Sequence, residues 1–131
     1  MENAASASGR QDPVLQPNAL DAIVEMIGSD DPDVLLDLID TFLTDSQRQL
    51  EEMRRSMAVG DIKTLHRAAH SMKSSSATFG AVALSKLCQR LEQSARDQCV
   101  DGVCAEQIET VVAEHRLVLA ALRAERAKFI R

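Results

Sequence analysis

The stretch DIKTLHRAAHSMKSSSATFG, residues 61–80, reads as one helix with two unlike faces. Gly60 before it and Gly80 at its end are helix-stopping residues, and Asp61 is of N-cap type. At about 100° per residue, Leu65, Ala68, Met72 and Phe79 fall within about 40° of the direction opposite His70. That apolar stripe predicts a buried face, so His70 points to solvent. Lys63, His66, Lys73, Ser74 and Ala77 share the His70 side, with Arg67 at its edge. Ser75 and Ser76 flank the buried face, placed to hydrogen-bond toward neighbouring helices. The serine run is therefore helix interior rather than linker.

A helix with one apolar stripe needs partners, and the flanking sequence supplies them. Upstream, Asp31-Pro32 reads as N-cap and N1 proline of a long helix. Its stripe runs through Leu35, Leu38, Ile39, Phe42, Leu43, Leu50, Met53 and Met57 to Gly60. Before it, Pro17-Asn18 opens a short helix through Leu20, Ile23, Val24 and Ile27, closed by Gly28. Downstream, Leu84, Leu87, Cys88, Leu91 and Ala95 mark a fourth helix. Asp97 to Gly102 forms a turn, and a last helix runs from Val103 toward Phe129 through Ile108, Val111, Val112, Leu119 and Leu122. No segment alternates as a strand does. The prediction is an all-α, antiparallel up-down four-helix bundle with a short additional N-terminal helix. Residues 1–16 are expected to be a flexible polar tail and residues 17–131 a single domain.

Composition narrows the function classes. The chain has 131 residues, 45% of them hydrophobic, enough for one core. It carries a net charge of −5, no Trp or Tyr and three Phe, so it offers neither a basic phosphate-tracking surface nor stacking platforms. Nucleic acid is not an expected partner, and no apolar run is long enough to span a membrane. MENAASASGR lacks the apolar centre of a signal peptide, so a cytoplasmic protein is expected; Met1 and the short polar tail suggest a free-standing chain, and a closed four-helix bundle is expected to be monomeric. Cys88, Cys99 and Cys104 are odd in number and match no C-x-x-C spacing. Reduced thiols are expected, with Cys88 in the core and Cys99 and Cys104 flanking a turn. The acidic cluster of Asp30, Asp31, Asp33, Asp37 and Asp40 is read as negative charge at a helix N-terminus.

An exposed histidine with an ordinary pKa is largely neutral near pH 7, which leaves one ring nitrogen with a free lone pair. Lys73, one turn on, stands where it can counter the charge of an incoming phosphoryl group, and Ser74 and Ala77 are small enough to let a partner approach. AAHSMKSSSATFGA followed by LSKLCQRLE resembles the phosphohistidine motif of histidine-containing phosphotransfer (HPt) domains. There AH-x-x-K-G-S-S-x-x-x-G-A precedes a helix ending in L-C-x-x-L-E or L-x-x-L-Q. The resemblance is concentrated over residues 61–96.

The resemblance implies a phosphorelay intermediate of two-component signalling, in which His70 takes a phosphoryl group from the aspartyl phosphate of one receiver domain and passes it to the aspartate of another. Lys73 would stabilise the phosphoryl oxygens, and Ser75 and Glu92 would orient the imidazole. Ser74, Ala77, Gly80 and Arg67 would belong to the receiver-docking surface, with Ser74 standing where the family pattern has glycine. The chain itself would hold no cofactor, and Mg²⁺ would sit on the receiver. No Gly-rich nucleotide loop is present, so the chain is a stoichiometric carrier rather than a kinase.

Two other readings compete. A bundle of the same shape could dock a receiver without being phosphorylated, although such an adaptor has no need of His70. His66 and His70, at i and i+4, could chelate a metal as helical histidine pairs do. Against that, no third ligand is evident, and Arg67 occupies the place of the glutamate in the zinc-protease pattern. His115 repeats with Val111 and Leu119 and is expected at a partly buried boundary.

Overall fold

The structure, a computed structural model, describes residues 13–28 and 31–129. The described chain is helical throughout, without a strand: α1 (Ala19–Ile27), α2 (Pro32–Val59), α3 (Ile62–Thr78), α4 (Val82–Arg96), a 3-10 turn (Val100–Gly102) and α5 (Val103–Ala127). Asp30, one of the acidic cluster, lies outside the described residues.

Local chemistry fixes the boundaries. The Asp31 carboxylate accepts the Asp33 amide at 2.9 Å with Pro32 at the first helical position, so α2 starts where a missing N–H costs nothing. Gly60, at φ 76°, closes α2; its amide donates to Met57 O and that of Asp61 to Ser56 O. Asp61 then caps α3, accepting the Thr64 amide at 3.1 Å and the Thr64 hydroxyl at 2.7 Å. Helix α3 stops at Thr78 in the same way: Gly80, at φ 72°, donates to Ala77 O and Ala81 donates to Ser76 O.

Short turns force neighbouring helices antiparallel, and side-chain contacts show it. Phe42, early in α2, meets Phe79 at the end of α3 with ring centroids 5.1 Å apart. Asp40, near the start of α2, takes a bidentate bond from Arg126 at the end of α5, at 2.6 and 2.9 Å, while Arg54 near the end of α2 reaches Glu109 near the start of α5. The Asp40 carboxylate is thus part of an inter-helix pair rather than only a charge at a helix start. Leu35, Ile39, Met53, Leu65, Met72, Leu84, Leu91, Val111 and Leu122 fill the centre with almost no exposure.

The short α1 lies over the α3–α4 turn. Leu20 and Ile23 are buried there, and the Gln16 amide donates to Gly80 O at 2.8 Å. Val14 and Leu15, counted with the tail on sequence grounds, pack against the core, so the packed chain begins before Pro17. Residues 1–12 of that tail lie outside the described residues.

Two expectations fail here for stated reasons. Cys99 and Cys104 form a disulfide, leaving Cys88 as the free, buried thiol. Counting cysteines could not see that Gln98, Cys99 and Asp101 all take left-handed conformations, folding the turn until the two cysteine Cα atoms stand 5.3 Å apart, within bridging range. His115 is fully buried rather than at a boundary; its Nε2 meets the Ser46 hydroxyl at 2.8 Å across the α2–α5 interface. Burial, with the Arg123 charge, holds its pKa below the ordinary imidazole value.

Candidate functional site

Helices α3 and α4 place four side chains around one carboxylate. Glu92 projects from the third turn of α4 toward α3 and is buried, with 6% of its side chain exposed. Its Oε2 stands 2.7 Å from His70 Nδ1, and its Oε1 2.7 Å from Lys73 Nζ. His66 Nε2 lies 3.6 Å and Arg96 NH2 3.8 Å from the same Oε2. His70 and Lys73 are one turn apart on α3, which is why one carboxylate reaches both. The Ser85 hydroxyl of α4 donates to the Lys73 carbonyl at 3.0 Å and further ties the two helices together.

The electrostatics follow from that ring of donors. Burial pushes the Glu92 carboxyl up, but hydrogen bonds from Lys73 and His70, with their charges, outweigh it and hold the pKa below the ordinary glutamate value. Glu92 is therefore an anion at neutral pH, and an anion beside Nδ1 accepts only a proton-bearing nitrogen. In its neutral form the His70 ring carries its hydrogen on Nδ1 and its lone pair on Nε2. The side chain is 57% exposed, so a lone pair on its outer edge faces solvent. One turn before Glu92, the Cys88 thiol is pushed up to about 12 by burial and by the Glu92 charge. It is no nucleophile.

The arrangement can present one oriented, uncharged nitrogen to an electrophile and hold a cation beside it. Among the described residues no group of three His, Cys, Asp or Glu is placed to hold a metal ion. The His66 and His70 rings are nearly parallel, their centroids 6.5 Å apart, and the carboxylate between them is already bound to Lys73.

A family model, the Hpt domain, matches residues 37–125, more than half of the chain and every residue of this cluster. The chain belongs to the Hpt family. A crystal structure of histidine-containing phosphotransfer protein B (HptB) from Pseudomonas aeruginosa PAO1 is similar to this Hpt domain, with a TM-score of 0.81, 30% sequence identity, and coverage of 92% of this chain and 100% of that one. No curated protein matches the chain.

The remaining sequence-predicted residues of the Hpt domain divide. Ser74 and Ala77 are exposed on the His70 side of α3, open to a docking partner. Arg67 is exposed but faces α2, lining a shallow cleft with Asp45, Arg48 and Glu52. Gly80 is not on a docking surface. It is buried under α1, where an added Cβ would stand 2.5 Å from that of Ala19. Nor does Ser75 orient the imidazole; its hydroxyl donates back to Ser71 O and Met72 O of its own helix, the common local bond of a helical serine. Ser76 is buried with its hydroxyl unpaired.

Arg96 belongs to the cluster although no sequence motif singles it out. It stands four residues after Glu92 on the same helix, and that i,i+4 spacing is the signal that could have found it. It also lies 3.4 Å from His66 Nε2.

Proposed function

We propose that His70 Nε2 is the phosphoacceptor through which this histidine phosphotransfer protein acts in a two-component phosphorelay. The observation that carries this reading is the 2.7 Å contact between His70 Nδ1 and the Glu92 carboxylate, on a ring left more than half exposed. Glu92 fixes the tautomer, and the exposed Nε2 lone pair attacks the phosphorus of a receiver's aspartyl phosphate. An N–P bond forms, the P–O bond to the aspartate breaks, and its electron pair leaves with the aspartate carboxylate. The ring keeps its Nδ1 proton, so the product is an imidazolium beside the Glu92 anion, and the second receiver aspartate takes the phosphoryl by the reverse step.

Proteins of this family work with receiver domains as phosphotransfer intermediates. The receiver supplies Mg²⁺ and most of the charge stabilisation, while this chain supplies the nucleophile and the docking face of Ser74 and Ala77. We take the carrier to be a monomer in the cytoplasm, a point that sedimentation and cell fractionation can check.

The test is incubation with a phosphorylated receiver, with His70→Gln and His66→Gln alongside. Alkali-stable, acid-labile label is expected on the wild type and on His66→Gln and lost in His70→Gln. Label that survives in His70→Gln but not in His66→Gln overturns the assignment. Absence of label with every receiver tried favours a non-phosphorylated adaptor.

A further inference from the structure

Lys73 poses a problem for any account in which it simply waits for a phosphoryl group. Its Nζ is not free: it stands 2.7 Å from Glu92 Oε1, with its side chain 29% exposed, on a carboxylate that is itself nearly buried. A buried anion cannot be abandoned by its counter-cation without a large cost. For Lys73 to reach a phosphoryl oxygen, another positive charge has to arrive at Glu92.

Attack by His70 creates that charge at the required place. With the ring neutral, as attack requires, it donates Nδ1–H to Oε2, and the cation in direct contact with Glu92 is Lys73 on Oε1. When the Nε2 pair goes to phosphorus, no proton moves, and the ring becomes a cation that still holds its Nδ1 hydrogen against Oε2. We propose that Lys73 exchanges partners with each transfer. It neutralises Glu92 in the resting protein and is released to the phosphoryl oxygens when the His70 ring takes over as counter-ion. Arg96, at 3.8 Å from Oε2, adds positive charge on the outer side in both states.

This inference rests on His70 being the phosphoacceptor, and it adds a coupling. Lys73 becomes available in step with the bond that needs it, and returns to Glu92 when the phosphoryl leaves. The resting site consequently presents little unpaired positive charge to anions that carry no transferable phosphoryl group.

The coupling can be read in the ¹⁵N signal of the Lys73 ammonium group of the whole protein, at rest and after phosphorylation with phosphoramidate, in wild type and Glu92→Gln. At rest, the wild-type signal is expected to be displaced from that of a solvated lysine, and the displacement should be lost in Glu92→Gln. After phosphorylation, the wild-type signal should move to a new position and become the same in both proteins, because the phosphoryl group is then the partner in each. A wild-type Lys73 signal that stays put once ring ¹⁵N and ³¹P spectra show phosphorylated His70 overturns the exchange while leaving the phosphoacceptor assignment standing. Phosphorylation on a residue other than His70 overturns both. If Glu92→Gln does not accept phosphoryl, the wild-type pair of spectra decides alone.

Discussion

At the scale of single residues, Glu92 holds the site together. It is the acceptor for both His70 Nδ1 and Lys73 Nζ, and it approaches them from a different helix. Replacing it with alanine leaves the imidazole free to rotate and to change tautomer. Glu92→Ala is expected to slow phosphoryl acceptance about 10- to 100-fold, the scale of a misplaced reacting group. Quench-flow with a phosphorylated receiver measures the rate, and circular dichroism checks that the helices persist. An unchanged rate would mean that α3 alone orients the ring. Ser74, where the family pattern has glycine, is exposed, and its carbonyl accepts the Thr78 hydroxyl at 3.2 Å. Its side chain adds one small group to the docking face.

At the scale of elements, the end of α3 is where local conformation and packing coincide. Gly80 needs a left-handed backbone to close the helix, and the space its side chain would fill is taken by Ala19 and Gln16. Gly80→Ala should therefore lower stability by about 1–3 kcal/mol, read as a shift in the urea midpoint. It should also loosen the α1 contact, since the Gln16 amide bond to Gly80 O lies at the same point. Gly60→Ala, with a similar φ but open space around the added Cβ, should cost less. Comparing the two separates the steric part from the backbone part.

At the scale of the whole molecule, stability should fall on acidification in two stages. The His115 pKa is held below the ordinary imidazole value of 6.5, so the unfolded chain takes up that proton first. Stability is therefore lost as pH drops below about 6.5. The Glu92 pKa is held below the ordinary value of 4.5. Its contribution is present above that value and disappears as pH falls through the lower, folded one. Urea midpoints across this range should show both declines, and His115→Gln should remove the first while leaving the second. A single decline confined to the carboxylate range in the wild type would contradict the role of the buried imidazole.

The helices, their stops and the two faces of α3 were legible in the sequence because each is a local property: a 3.6-residue stripe, a cap, a glycine. The motif around His70 was legible for the same reason. What lay beyond reach depended on where separate elements meet. The burial of Gly80 needs α1 folded over it, and the burial of His115 needs Ser46 on a helix far back in the chain. The Cys99–Cys104 bridge needs three non-glycine residues, Gln98, Cys99 and Asp101, to turn left-handed beside Gly102. Ser75 was misread because a helical serine can satisfy itself on its own backbone, which no facial argument detects.

The three cysteines have a practical consequence. Two are joined to each other, and the third is buried with its thiol pushed up to about 12, so none offers a thiolate to solvent while the bridge is intact. A cysteine introduced at Gln93, exposed next to Glu92, would be the sole maleimide-reactive group on the protein. One fluorophore there would report the arrival and departure of a receiver in real time without any native residue being removed to clear the background.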